Sequence, residues 1–158
     1  MIEPRKRISK KALTVWRISG MISTVIVWLL LIGGGVFTLI KDGPLWVIGI
    51  LALTGILIVY FFVYLLPKLR WNRWRYEVRE QEIELQHGVI ITRRTLIPMI
   101  RVQHVDTEQG PLLRRYGLAA IQVSTAATIH EIPAVEMEEA EEMRKMISAL
   151  ARVATEDV

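Results

Sequence analysis

Histidine is the side chain best suited to move a proton near neutrality or to hold a divalent metal, and the 158-residue chain carries three: His87, His104 and His130. A zinc site needs its ligands at short, repeated spacing. These three lie far apart and read as turn, strand and strand positions. Five glutamates crowd residues 136–142, yet calcium takes its oxygens from a loop that bends around the ion. At the start of a helix such glutamates are better explained as a solvated face opposing the positive end of the helix dipole. There is no cysteine, which removes disulfides, thiolate metal sites and cysteine nucleophiles. No phosphate-binding glycine loop, nucleophile elbow or metalloprotease helix occurs. The reading is of a protein that is not an enzyme and needs no cofactor or metal.

What remains is charge and apolar surface, and both are unevenly placed. The net charge is +4 and apolar residues make up 52% of the chain. Arg5, Lys6, Arg7, Lys10, Lys11 and Arg17 face a single acid, Glu3, and Lys68, Arg70, Arg73, Arg75 and Arg79 face Glu77. From Glu80 onward acids outnumber bases. A nucleic-acid binder carries its positive charge on the folded domain, so no nucleic-acid partner is expected. Here the cations flank the apolar segments instead.

Those segments are residues 18–40 and 44–66, neither of which contains a charge. At about 1.5 Å per residue each spans roughly 35 Å as a helix, enough for a hydrocarbon core of about 30 Å. Only Lys41, Asp42 and Gly43 separate them, with Pro44 suited to the first turn of the second helix, so the two form an antiparallel hairpin. The first run is too long for a secretory signal and lacks a cleavage site, so it reads as a retained anchor. Basic residues on both outer flanks and one lysine in the turn put both termini in the cytoplasm. Trp16, Trp71 and Trp74 are then interface anchors on the inner side and Trp46 on the outer. Gly33, Gly34, Gly35, Gly49 and Gly55 offer close helix contact. No ionisable group lies within either span, which argues against transport by the hairpin alone.

Beyond residue 73 the pattern changes to period two. Tyr76 and Val78, then Ile83 and Leu85, alternate with charged residues as two half-buried strands. His87 and Gly88 form a turn. Further strands are expected over residues 89–97, 100–108, 119–125 and 128–132, closed by Pro98, by Gly110 and Pro111, and by Pro133. Past Pro133 the spacing of Ala140, Met143, Ile147, Leu150, Ala151 and Ala154 predicts one amphipathic helix. Short antiparallel strands plus one helix make an α+β domain, a small sheet or barrel plugged by that helix.

At Trp74, Arg75, Tyr76, Glu77 and Val78, the Gly88 turn, Ile97 and Pro98 leading to Arg101, Val102, Gln103, His104 and Val105, then Pro111, Leu112, Tyr116, Gly117, Leu118 and finally Val123, Ser124, Thr125 and Ala126, the chain resembles the bacterial pleckstrin-homology-like domain family of the YdbS type. The resemblance covers roughly the last ninety residues. It implies a pleckstrin-homology-like split β-barrel capped by a C-terminal helix, behind a two-helix membrane anchor, and it implies no activity. Ala127 stands where the family often has glycine. Headgroup binding does not carry over, because the loop that holds it in eukaryotic relatives of this shape is here Glu80, Gln81 and Glu82. Arg93 and Arg94 are adjacent on a strand and point to opposite faces.

The expected organisation is a basic segment (1–17), a transmembrane hairpin (18–66), a basic juxtamembrane linker (67–72) and the domain (73–158). The function expected is that of a cell-membrane interaction module, a subunit of a membrane protein complex. The alternative is a lipid-handling or transport subunit whose hairpin packs with partner helices. Arg5, Lys6, Arg7, Lys10, Lys11, Lys68, Arg70, Arg73 and Arg75 are expected to meet the anionic lipids of the inner leaflet. Leu112, Leu113, Arg114, Arg115 and Tyr116 are the expected surface for a membrane protein partner, with a multi-domain sibling of the family as one candidate. The competing account of this segment has the two leucines plugging the barrel.

Overall fold

In a long run of apolar residues with no side-chain donors to compete, the backbone satisfies itself best as a helix. The computed structural model, which describes residues 4–156, shows this twice. Helix α1 is Lys11–Ile40. After the turn, in which Asp42 takes a positive φ, α2 runs Leu45–Val59 with Pro44 at its N-cap. A π-helical stretch, Tyr60–Leu65, continues directly into α3, Leu66–Arg73. Both continuous helices are long and apolar enough to cross a membrane, and few of their residues are buried. The π stretch holds a stacked Tyr60–Tyr64 pair and an edge-on Phe61–Phe62 pair.

The chain divides into two units, residues 16–69 and a second made of 4–15 together with 70–156. In the first, the hairpin is close where small residues permit. A Cβ on Gly20 would meet the Phe62 carbonyl oxygen at 2.7 Å, and one on Gly55 would meet the Trp28 ring at 2.8 Å.

The second unit carries two antiparallel sheets. Strands β1 (Lys6–Arg7), β2 (Arg75–Val78), β3 (Glu82–His87) and β4 (Arg93–Pro98) form one in that order. A 3-10 turn, Met99–Arg101, leads to β5 (Val102–Glu108). The short helix α4 (Pro111–Arg115) then precedes β6 (Leu118–Thr125) and β7 (Ile129–Glu136), which complete the second sheet in the order β5-β6-β7. Tyr76, Ile83, Leu85 and Ile97 of the first sheet are buried, as are Leu118, Ile121, Val123 and Ile132 of the second. Helix α5 (Met137–Glu156) packs on the second sheet and on the 3-10 turn. Ala140, Met143, Ile147 and Ala151 are its buried side, the face that the 3.6-residue period predicts. The fold class is the expected one, a membrane helical hairpin plus an α+β domain.

Three strand expectations differ from the structure. Residues 89–97 are not one strand: residues 88–92 are a loop, because Gly88 turns the chain at φ +117, and pairing begins at His87 with Arg93. The strand expected from residue 100 begins at Val102, after the 3-10 turn. Pro133 does not end β7. It lies on an edge strand, where a missing N–H is tolerated, beside Ala134 at φ 53 and a shift of register opposite Ala120. Residues 67–72, the expected juxtamembrane linker, are helical, and within the basic N-terminal segment a short strand joins the sheet. Its β1 pairs Lys6 with Tyr76 and Arg7 with Arg75, and Ile8 and Ala12 are buried.

Candidate functional site

Gly110 caps α4, Pro111 occupies its first turn, and Gly117 ends the connection at φ +66. Proline fixes the entry and glycine permits the left-handed exit, so the five side chains between are held by a short, defined scaffold. None of the α4 residues is buried. Arg114 and Arg115 are exposed, while Leu112, Leu113 and Tyr116 are half-buried. The leucines are partly covered, neither sealed in the core nor exposed like the arginines beside them.

The basic flank is differently disposed. Arg5, Lys6, Arg7, Lys10, Lys11, Lys68 and Arg73 are exposed and Arg75 is half-buried. Lys6 lies 2.8 Å from Glu139 and Lys11 3.0 Å from Glu136. The glutamates expected to be a solvated face are thus partly spent on the N-terminal segment. Ser9 donates to Glu136 and accepts from the Lys11 backbone N–H at the start of α1. These contacts, the Ser9 hydrogen bond first, hold the Glu136 carboxyl below the usual carboxylate range. Hydrogen bonds from Arg144, then Thr107, do the same for Glu141. Tyr76 donates to Glu139 at 3.2 Å, and burial, then the Glu139 charge, raise its phenol well above the ordinary value.

Of the four tryptophans expected as interface anchors, Trp46 is exposed and Trp16 half-buried. Trp71 donates through Nε1 to the carbonyls of Ile8 and Ser9 at 3.3 and 3.2 Å, with the Arg7 guanidinium 5.5 Å over its ring. Trp74 departs from expectation. It is 6% exposed and stacked on His87 at 5.2 Å, so it is a packing residue and not an interface anchor.

His87 and His130 line one groove of ≈ 350 Å³ with Arg70, Trp74, Val89 and Glu131. Burial in this wall, followed by the charges of Arg93, Arg70 and His130, depresses the His87 pKa. His104 is exposed with Nε2 3.5 Å from Asp106, a pairing across one intervening strand residue that the sequence reading missed. No group of three or more potential metal ligands exists among the described residues.

Sequence reasoning also missed Glu84. Strict alternation puts it with Glu82 and Gln86 on the polar face, yet it is 1% exposed. Arg79 lies 3.1 Å from one carboxylate oxygen and Arg94 binds the other. Arg79 also reaches Glu77 and Glu82, at 2.9 and 3.0 Å. The signal available was the pair of arginines, Arg79 and Arg94, on either side of β3 in sequence.

Comparison with known proteins gives this architecture its kin. The bacterial PH domain family profile matches residues 20–151, spans included. The chain is 46% identical over 156 residues to the UPF0699 transmembrane protein YdbS of Bacillus subtilis, covering 99% of this chain and 98% of that one. It is 25% identical over 83 residues to the UPF0699 transmembrane protein YdbT of the same organism, covering 50% of this chain and 17% of YdbT. No solved structure matches it. Two bare apolar helices, a seven-stranded split barrel with its capping helix, and a full-length likeness to a transmembrane relative lead to one assignment: the chain belongs to the bacterial PH domain family and is a membrane protein.

Proposed function

We propose that the chain is a non-enzymatic, membrane-anchored interaction module on the cytoplasmic face, a subunit of a membrane protein complex. The observation that carries this reading is α4: two exposed arginines beside leucines and a tyrosine that the core does not fully absorb. Arginine and aromatic side chains held on a rigid scaffold are favoured anchors of protein interfaces. A larger membrane relative is the kind of partner that fits, and YdbT, of which the matched segment is 17%, illustrates one. Pairing of β1 with β2 supports placing both ends of the chain on one side of the membrane, and the lysine and arginine distribution favours the cytoplasm.

The test is co-purification from membranes. Replacing Arg114 and Arg115 together by glutamate is expected to abolish partner recovery while the melting temperature stays nearly unchanged; recovery equal to wild type refutes the surface. Leu112→Ala is the control that registers packing instead of binding.

A second reading, a lipid-handling or transport subunit, draws on the hairpin. A Cβ added at Gly33, Gly35 or Gly49 would meet nothing within 4 Å, so these positions leave room for a further helix. Recovery of membrane partners by the hairpin without the domain favours this reading over the first.

A further inference from the structure

A β-hairpin loop in a soluble domain is normally polar, and its most exposed positions are the last place to keep aliphatic side chains. Residues 88–92 do the opposite. Ile90 is 95% exposed and Ile91 73%. The shape that presents them is fixed: Gly88 stands at φ +117, and a Cβ there would lie 2.0 Å from the Ile91 carbonyl oxygen. Only glycine fits that turn. The root of the loop is fixed as well, because His87 stacks on Trp74 and the Trp74 backbone N–H donates to the Arg70 carbonyl at 3.1 Å. Arg70 follows the second apolar segment in sequence and belongs with Trp74 and the loop to one unit.

Charge completes the picture. Between Glu84 and Asp106 there is no acidic residue, while Arg93, Arg94 and Arg101 are present, and residues 67–75 contain Lys68, Arg70, Arg73 and Arg75 without an acid. The root of this apolar tip faces Arg70 and Arg93, with Glu131 the acid in the groove beside it and Arg94 engaged by Glu84. Apolar at its end and basic in balance at its base, the loop suits an anionic lipid surface, which offers hydrocarbon below and phosphate at the level of the collar. We infer that residues 88–92 are a wedge that dips Ile90 and Ile91 into the leaflet holding the spans, giving the domain a second point of attachment there. The inference rests on membrane residence and not on the partner surface at α4.

The absence of native cysteines makes the test direct. Single-cysteine variants Ile90→Cys and Ile91→Cys of the full chain, with Glu80→Cys as an aqueous control, are spin-labelled and reconstituted in nanodiscs of phosphatidylcholine and phosphatidylglycerol. Collision with oxygen and with a water-soluble nickel chelate is then measured. The expected result is a several-fold loss of nickel collision and a gain in oxygen collision at positions 90 and 91 relative to position 80. Nickel access equal to the control overturns the proposal. Shielding from both reagents that grows with protein-to-lipid ratio also overturns it, since it identifies a second copy as the occupant. On the Glu80→Cys chain carrying a donor at that position, Ile90→Asp together with Ile91→Asp is expected to increase the distance from the donor to a lipid-bound acceptor. An unchanged distance speaks against the wedge.

Discussion

Glu84 and His87 sit on the same strand and illustrate how differently burial acts on a charge and on a titrating ring. Glu84 is sealed from water while Arg79 and Arg94, at 41% and 30% side-chain exposure, keep part of their hydration. Removing the arginines strands a buried carboxylate, whereas removing the carboxylate releases two cations that can turn to solvent. The double change Arg79→Ala and Arg94→Ala is therefore expected to destabilise the domain clearly more than Glu84→Leu, as read by denaturant unfolding of the full chain in detergent. Equal losses would show that the arginines hold the sheet by packing. For His87 the folded pKa is depressed, so the unfolded chain takes up a proton first as pH falls. Its contribution is fully present above about pH 6.5 and is lost as pH falls through the lower folded value. Glu136 and Glu141, held low, weaken only in more acidic solution. Melting temperature should fall on mild acidification below about pH 6.5, and His87→Phe, which keeps a ring against Trp74, should flatten that slope.

Among the elements, α5 was legible because period and burial agree in it, and β2, β3 and β6 because alternating apolar residues between turn signals mark a strand even where burial departs from the alternation, as at Glu84 and Ala120. The others were obscured for separate physical reasons. Val89, Ile90 and Ile91 have the composition of a strand, but one glycine at positive φ converts them into a loop tip. Pro133 reads as a stop, yet an edge strand can absorb it next to a bulge. Strand β1 has only two residues, too few for any pattern, and its pairing depends on residues about seventy positions away. That pairing is testable through Ile8, which is 2% exposed: Ile8→Ala is expected to destabilise the domain by about 2–5 kcal/mol. A shift near zero would mean that β1 merely rests on the sheet edge.

At the scale of the molecule, the two spans and the family were plain in the sequence, since length without charge and an ordered set of turn residues survive any uncertainty over individual strands. The candidate surfaces were less so. The basic residues looked like one class, but the structure divides them into those engaged by Glu136 and Glu139 and those on the flank after the second span. Lysine and arginine near an anionic leaflet contribute about 1 kcal/mol each. Neutralising Lys68, Arg70, Arg73 and Arg75 together is expected to lengthen the domain-to-bilayer distance measured by energy transfer, while the spans keep the protein in the membrane. An unchanged distance would confine these residues to setting orientation. A cysteine at Asp42 is expected to react with an impermeant reagent from outside intact cells, and reaction only after lysis would invert the topology.

The pairing of Lys6 with Tyr76 also imposes an order on biosynthesis. The first strand of the sheet leaves the ribosome before either span, and its partner emerges only after both. Until then Ile8 has no pocket and the lysines beside it have no glutamates. The connecting stretch would be a costly ring to close if it were free chain, but an antiparallel hairpin, once inserted, returns the later residues to the side on which the first strand waits. A chain that threaded only one span would leave the strand and the rest of its sheet on opposite sides of the bilayer, and the domain could not finish. Completion of the barrel therefore reports correct insertion, and a soluble version of the domain must carry residues 4–15 spliced ahead of residue 70.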